Sequence, residues 1–274
     1  NLKIVEFQEN SELKIIGKSA FYMSCISQVC IPPNVTKICQ DAFSYSKNLQ
    51  KVEIPENSQL KIIEQSAFST TKISQIFIPS KLEELKGGWC ASTPNLKSII
   101  ISPLNNNFVF KDDQYLFGKT DPKSDNFDVL LFVVSDICEA NIPANIKVIS
   151  PFAFYDCQNL KTVEIPENSE LQSIEDHAFS KSTLNQIFIP SHVSKICEYA
   201  FHMCYCLQTV IFSEYSELKS IERYSFSTTR INNISIPPHV KTIYDSAFAL
   251  CENLRRVEFP INSELEIIDD YAFF

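Results

Sequence analysis

The sequence has no long apolar run and no cluster of basic residues. None of its hydrophobic segments approaches the roughly 20 residues that a transmembrane helix needs. The formal net charge is −9, and the lysines and arginines are dispersed along the chain. Nucleic acids and anionic membrane surfaces both favour patches of Lys and Arg. The composition therefore predicts neither a nucleic-acid partner nor direct membrane insertion of this segment.

Motifs of catalysis and metal binding are also missing. The chain has only four histidines, and no G-x-S-x-G, P-loop or H-E-x-x-H pattern occurs. No set of His, Cys and Asp has the spacing of a nucleophile and its base. We therefore expect no enzymatic activity, no catalytic or metal-binding residues and no cofactor.

A short repeat runs along the chain. Nine phenylalanines follow an Ala, or once a Ser, and their spacings alternate between 22 and 25 residues within each run: Phe21, Phe43, Phe68, Phe154, Phe179, Phe201, Phe226, Phe248 and Phe273. Such alternation indicates duplication of a 47-residue pair of repeats. The pattern is already under way at Leu2 and is incomplete at Phe274, so we interpret the sequence as part of a longer protein.

Each of about eleven repeats begins with a strand pattern, L-x-x-V-x-I-P. In the copy that starts at Leu49, the β-branched Val52 and Ile54 bracket an outward Glu53. Pro55 follows at once and ends the strand, because proline lacks an N–H. Strands this short, one in each repeat, are expected to pair in parallel with their counterparts in the next repeat.

The second part of each repeat, such as Ile63 through Phe68, is too short for a full helix. We expect a helical turn whose Ala allows close approach and whose Phe points inward. Stacked repeats would then align the phenylalanines in one file through the core. No single repeat buries its apolar face alone, so stability should be cooperative between neighbours.

The repeat resembles the BspA-like class of leucine-rich repeats. The opening L-x-x-V-x-I matches the L-x-x-L-x-L of leucine-rich repeats, and the closing I-x-x-x-A-F-x-x-C matches at Cys157, Cys204 and Cys251. Two departures are that Gly17 alone supplies the glycine common after the I, and that Trp89-Cys90 replaces Ala-Phe. The resemblance implies a surface protein of host-associated bacteria or parasitic protists, linked to adhesion to host cells or matrix.

Together these observations predict an α/β repeat solenoid. We expect a right-handed leucine-rich-repeat superhelix with a parallel β-sheet on its concave face, short helical turns on its convex side and one β-hairpin insertion. The solenoid is predicted to be a single domain over residues 1–274, with the insertion at residues 103–136.

The insertion lengthens one repeat from 24 to 41 residues. Its strand signals are FVF (108–110), YLF (115–117) and VLLFVV (129–134), and a polar, turn-rich segment from Gly118 separates the last two. We expect a hairpin that covers the core, with a recognition loop as the alternative. Asp121, Asp125 and Asp128 lack the order and the Gly of an EF-hand calcium loop.

Ten cysteines are present. Cys157, Cys204 and Cys251 share one repeat position but lie two repeats apart, which corresponds to roughly 10 Å at about 4.8 Å per strand. A disulfide tolerates a Cα separation of about 4.4–6.8 Å. We therefore expect these cysteines to be free, buried thiols that act as small hydrophobic residues.

The outward residues of the strands form the predicted binding surface. Their column places Phe77 beside Ile100 and Phe188 beside Ile211, each pair after a glutamate, Glu53 or Glu164. Exposed apolar residues on adjacent repeats form a patch that often marks an interaction site. The expected ligand contacts are Glu53, Gln75, Phe77, Ile100, Glu164, Gln186, Phe188 and Ile211. The alternative is that duplication copied an apolar pair that has only a β-strand preference.

Two functions fit this pattern. The first is a protein-binding adhesion module at the cell surface or outside the cell, which contacts host-cell or matrix proteins through its concave sheet. The alternative is a cytoplasmic scaffold that assembles other proteins on the same solenoid. The sequence indicates neither the ligand nor the oligomeric state.

Overall fold

A computed structural model describes residues 2–8 and 10–274. Residues within it group into two compact units. The first comprises Asn1–Phe127 and Leu131–Ser135, and the second comprises Asp128–Leu130 and Asp136–Phe274. A single domain that includes both units stays a prediction.

The first unit alternates two kinds of strand. Major strands have three or four residues: β2 (Gln28–Cys30), β4 (Lys51–Glu53), β6 (Gln75–Ile78) and β8 (Ser98–Ile101). Minor strands have two: β1 (Ile15–Ile16), β3 (Lys37–Ile38), β5 (Ile62–Ile63) and β7 (Glu84–Leu85). Two further strands, β9 (Val109–Lys111) and β10 (Tyr115–Gly118), lie in the insertion, and β11 (Val129–Val133) follows them.

The second unit repeats this alternation. Its major strands are β12 (Glu139–Asn141), β14 (Thr162–Glu164), β16 (Gln186–Ile189), β18 (Thr209–Phe212), β20 (Asn233–Ser235) and β22 (Arg256–Glu258). Its minor strands are β13 (Val148–Ile149), β15 (Ser173–Ile174), β17 (Lys195–Ile196), β19 (Ser220–Ile221), β21 (Thr242–Ile243) and β23 (Ile267–Ile268).

The minor strands form an uninterrupted parallel ladder within each unit. In the first unit the order is β1-β3-β5-β7, with Ile16, Ile38 and Ile63 in one register. In the second unit, Leu130 and Ile149 begin the equivalent row. The second residue of nearly every minor strand is buried, because successive side chains of a strand point to opposite faces. This second ladder was not predicted from the sequence.

The major strands pair in parallel as separate doublets: β2-β4, β6-β8, β12-β14, β16-β18 and β20-β22. Each doublet joins the major strand of one repeat to the major strand of the next repeat. The predicted parallel pairing of equivalent strands is confirmed within these doublets. No ladder joins β14 to β16, although these strands are neighbours.

The predicted helical turns are wrong, since the part of the chain that the structure describes contains no helix. In a helix each N–H donates to the carbonyl four residues earlier. Here the N–H groups of Phe43 and Tyr45 donate instead to Ala67 O (2.8 Å) and Ser69 O (2.9 Å) of the following repeat. Intervening N–H groups, such as that of Ser44, donate three residues back. This alternation ties each turn to its neighbour.

Left-handed residues flank the Ala-Phe dipeptide of most turns. Ser66 and Thr70 have φ angles of 57° and 57°, and His177 and Lys181 have 56° and 62°. Among residues 2–8 and 10–274, Gly88 is the one glycine with a positive φ angle. A non-glycine residue in this region costs roughly 1–2 kcal/mol, so the cross-repeat hydrogen bonds and the buried phenylalanine offset a recurrent strain.

The phenylalanine file is confirmed within each unit. Phe43 stacks between Phe21 and Phe68 in the first unit, with ring centroids 5.0 and 5.3 Å away. In the second unit, Phe154, Phe179, Phe201, Phe226, Phe248 and Phe273 stack in order at 4.6–5.4 Å. Burial of one such ring stabilises the fold by roughly 1.5–3 kcal/mol, and each ring contact adds about 0.5–1.5 kcal/mol.

The insertion contains an antiparallel pair, β9 and β10, in which Phe110 is the partner of Leu116. Lys111 is the partner of Tyr115, so a three-residue loop closes this hairpin. Asp112 and Asp113 have φ angles of 55° and 52° in this loop, and the Gln114 N–H donates to Lys111 O at 3.0 Å. In the first unit, Phe132 packs against Trp89, which is 1% exposed and occupies the Ala position of its repeat. Aromatic residues of the insertion therefore cover the place where the phenylalanine file is interrupted.

Candidate functional site

The eight residues predicted to contact a ligand all lie on major strands. In the first unit they are Glu53 on β4, Gln75 and Phe77 on β6, and Ile100 on β8. In the second unit they are Glu164 on β14, Gln186 and Phe188 on β16, and Ile211 on β18. All are exposed or half-buried, as the alternation of a pleated strand requires.

Each unit exposes one aromatic–aliphatic pair on its major strands. Phe77 and Ile100 are direct partners across the β6-β8 ladder, and Ile100 is 46% exposed. Phe188 and Ile211 are partners across β16-β18, and Ile211 is 49% exposed. Directly opposite residues bring their side chains into contact, so each pair forms a continuous apolar surface.

The outward glutamates of the major strands, Glu53, Glu164 and Glu258, form a glutamate column. They differ in their charge partners. Glu53 forms an ion pair with Lys51 of the same strand. The hydrogen bond to the Glu53 carboxylate raises the pKa of Lys51, while burial and then the Glu53 charge raise the pKa of the neighbouring Cys30 thiol. Glu258 is paired in the same manner with Arg256, at 2.8 Å. At the equivalent place before Glu164, the chain has Thr162.

A groove of about 500 Å³ opens on the second unit between the doublets β12-β14 and β16-β18. Glu164, Gln186, Phe188 and Ile211 all line it. The groove lies where the neighbouring strands β14 and β16 are not joined by a ladder. Four of the predicted residues are thus brought together. In the first unit, Gln75, Phe77 and Ile100 share a doublet, and Glu53 lies on the adjacent β4.

A second aromatic file was missed from the sequence. In the second unit, His177 stacks between Phe152 and Tyr199 at 4.7 Å from each, and Tyr199 stacks on Tyr224 at 4.9 Å. All four occupy the left-handed position before the Ala of the Ala-Phe dipeptide, or before Ser225 in the repeat of Tyr224. Burial, with smaller effects of His202 and Lys181, lowers the pKa of His177 to about 4. Reading the position before each Ala-Phe as a column would have revealed this file.

In several repeats, the residue three positions after the Phe donates a hydrogen bond to the Phe carbonyl of the preceding repeat. Ser46 Oγ donates to Phe21 O at 2.7 Å, and Cys204 Sγ donates to Phe179 O at 3.0 Å. All ten cysteines are free. Five of them are buried, but Cys30 and Cys138 are exposed, so the expected burial does not extend to every cysteine. Burial raises the pKa of the Cys204 thiol to about 12, so this thiol acts as a neutral donor.

No cluster of three or more His, Cys, Asp or Glu side chains with metal-binding geometry occurs among residues 2–8 and 10–274. Of the insertion's aspartates, Asp121 accepts a hydrogen bond from the Lys123 N–H at 2.9 Å. In the second unit, Asp128 is buried and forms an ion pair with Lys147 at 3.2 Å.

A family model for the BspA type leucine rich repeat region matches residues 1–119 and 130–255 in six copies. The chain belongs to this family of BspA-type leucine-rich-repeat proteins. Leucine-rich-repeat domains are in general protein-binding modules without enzymatic activity, which agrees with the exposed apolar pairs on the major strands.

Solved structures of bacterial leucine-rich-repeat proteins have the same fold. A protein from Eubacterium ventriosum aligns with a TM-score of 0.74 at 21% identity over 96% of this chain and 80% of its own. A leucine rich cell surface protein from Faecalibacterium prausnitzii gives 0.64 at 24% identity, covering 100% and 74%. The pneumococcal vaccine antigen PcpA gives 0.67 at 18% identity, covering 96% and 72%.

A comparison with curated protein sequences found no match. Within the described ranges, no helix of the BspA-type chain has the length and hydrophobicity needed to span a bilayer.

Proposed function

We propose that this BspA-type chain is a non-enzymatic, protein-binding module of the cell surface, which adheres to host-cell or matrix proteins through its major strands. The single observation that carries the proposal is the pair of exposed aromatic–aliphatic contacts, Phe77 with Ile100 and Phe188 with Ile211. An aromatic residue inside an apolar patch with polar neighbours is typical of the energetic centre of a protein interface.

The surroundings of these pairs support the proposal. Gln75 and Gln186 are exposed at the start of β6 and β16, where their amides can donate and accept hydrogen bonds around the apolar contact. One relative with the same fold is a cell surface protein, and another is a vaccine antigen. Both descriptions agree with a location at which host proteins are accessible.

A second candidate is a cytoplasmic scaffold on the same solenoid. The observation that favours it is the set of ten free cysteines, of which Cys30 and Cys138 are exposed. Exposed thiols persist most easily in a reducing compartment. Antibody labelling of intact and permeabilised cells distinguishes the two candidates: labelling of intact cells supports the adhesion module, and labelling only after permeabilisation supports the scaffold.

Binding to an array of extracellular-matrix and host-surface proteins tests the adhesion proposal. The fourfold variant Phe77→Ser, Ile100→Ser, Phe188→Ser and Ile211→Ser should lose binding to every protein that the native chain retains. Its far-UV circular dichroism should stay native, because none of the four side chains is buried.

The matched control replaces exposed apolar residues that lie outside the major strands, with Leu104→Ser, Tyr205→Ser and Tyr215→Ser. This variant should bind as the native chain does. Equal binding by the native chain and the fourfold variant would contradict the proposal.

A further inference from the structure

One carboxylate of the glutamate column lies beside the groove without a cation. Glu53 and Glu258 are each neutralised by a basic residue two positions earlier, Lys51 or Arg256. Thr162 occupies that place on β14, and the structure gives Glu164 no ion pair within residues 2–8 and 10–274. Its opposite partner across the β12-β14 ladder is Asn141, which carries no charge.

The same carboxylate faces an apolar wall. Glu164 and the exposed Glu167 lie on one side of the groove, and Phe188 and Ile211 lie on the other. The groove volume of about 500 Å³ is within the roughly 300–1,000 Å³ of sites that bury small ligands. It accommodates a few side chains of an extended peptide rather than a whole domain.

We propose that this groove binds an extended peptide segment in which a Lys or Arg lies next to an aliphatic side chain. The inference rests on the proposed protein-binding function and adds the charge of the partner. The cation meets the Glu164 carboxylate, with Glu167 adding to the local negative charge. The aliphatic side chain packs against Phe188 and Ile211, and the stem of the Lys or Arg covers the apolar surface between them.

The charge of the chain agrees with a basic partner. With a net charge of −9, the protein repels acidic segments and attracts basic ones during encounter. The equivalent surface of the first unit has the same apolar pair but a neutralised glutamate. We therefore expect the two surfaces to differ in charge preference, although their apolar residues are the same.

Fluorescence anisotropy with labelled octapeptides tests the inference on the whole chain. The probes share a Ser/Gly background around a central Arg-Leu, Gln-Leu or Glu-Leu. The native chain should bind the Arg-Leu peptide about threefold to fivefold more tightly than the Gln-Leu peptide, and the Glu-Leu peptide most weakly, as expected for a solvent-accessible ion pair. Raising the salt from about 50 to 500 mM should reduce this preference, because counterions screen the pair.

Two variants remove the charge preference in different ways. Glu164→Gln should reduce the preference for Arg-Leu over Gln-Leu to less than about twofold, the remainder arising from Glu167 and the net charge. Thr162→Lys should do the same while it keeps the carboxylate, because it restores the pairing found at Lys51 and Glu53. Both substitutions are on outward positions of β14, so the fold is retained. Glu53→Gln is the matched control and should leave the preference unchanged.

The results separate this inference from the proposed function. If the variant Phe188→Ser, Ile211→Ser loses matrix-protein binding while Glu164→Gln keeps the native charge preference, the charge inference is overturned and the binding module stands. Failure of all three peptides to bind at millimolar concentration also overturns the inference. If the Arg-Leu preference depends on Glu164 but no array protein binds, the peptide site stands and the adhesion proposal fails.

Discussion

The thiol of Cys204 donates a hydrogen bond to the backbone carbonyl of Phe179 in the preceding repeat, at an Sγ–O distance of 3.0 Å. Both residues are fully buried. The equivalent donor is Ser46 in the first unit, and Cys251 repeats the contact with Phe226 O at 3.1 Å. The closing Cys of the BspA-type repeat is therefore a small internal donor that links neighbouring turns.

This role predicts opposite results for two substitutions of Cys204. Cys204→Ser should change the free energy of unfolding by less than about 0.5 kcal/mol, because the hydroxyl donates in the same place and the volume is similar. Cys204→Ala should lower it by about 1–2 kcal/mol through the lost hydrogen bond and the lost packing of sulfur. Urea denaturation of the two variants measures the difference. If both variants lose the same free energy of unfolding, this position needs the sulfur atom rather than a hydrogen-bond donor.

The phenylalanine file predicts that the internal rings dominate stability. Phe201→Ala should lower the free energy of unfolding by about 3–5 kcal/mol, because Phe179 and Phe226 both lose a stacked neighbour. Phe201→Leu should cost less, since most of the volume remains. Denaturant titration of the chain measures both changes.

Phe274→Ala is the control for this series, since Phe274 is 74% exposed. It should change stability by less than about 0.5 kcal/mol. A loss at Phe274 as large as the loss at Phe201 would contradict the role assigned to the file.

The inward residues were predictable from the sequence because they repeat. Phe43 contacts a phenylalanine of the preceding repeat, Phe21, and one of the following repeat, Phe68. The spacings of 22 and 25 residues between them in the sequence therefore indicate the stack directly. The same argument identified Val52 and Ile54 as inward and Glu53 as outward.

The turn conformation was not predictable in the same way. The segment from Ile63 to Phe68 has the composition of a helical turn, but the N–H of Phe68 donates to Trp89 O at 2.7 Å in the next repeat. A hydrogen bond between residues so far apart leaves no local signal in the sequence. The groove beside Glu164 was not predictable for a related reason, since its lining residues come from separate repeats.

Strain in the turns predicts a stabilising glycine. Thr228 has a φ angle of 60°, which is unfavourable for a β-branched residue. Thr228→Gly removes a strain of roughly 1–2 kcal/mol and costs about 0.5–1 kcal/mol in chain entropy. The free energy of unfolding should therefore rise by up to about 1.5 kcal/mol, and the N–H of Thr228 keeps its hydrogen bond to Ala249 O.

Thr209→Gly supplies the comparison, because Thr209 is on the β18 strand and has no positive φ. This glycine should lower the stability by about 0.5–1 kcal/mol. Thermal and urea unfolding of the two variants measure the pair. A loss of stability in both would mean that the left-handed turn is not strained.

The buried histidine predicts an acid-sensitive contribution to stability. In the folded chain the pKa of His177 is about 4, chiefly through burial between Phe152 and Tyr199, whereas a histidine in the unfolded chain titrates near 6.5. Above pH 6.5 both states are neutral and the group has no effect. Between pH 6.5 and 4 the unfolded chain binds a proton that the folded chain does not, so acid favours unfolding.

His177→Tyr removes this penalty, and Tyr199 and Tyr224 show that the file accepts tyrosine at this position. Relative to the native chain, the variant should gain about 1–2 kcal/mol on going from pH 7.5 to pH 4.5, measured by urea unfolding at each pH. Phe152→Tyr alters the same file without removing the histidine and should show no such gain, and a parallel pH dependence of all three chains would place the acid sensitivity elsewhere.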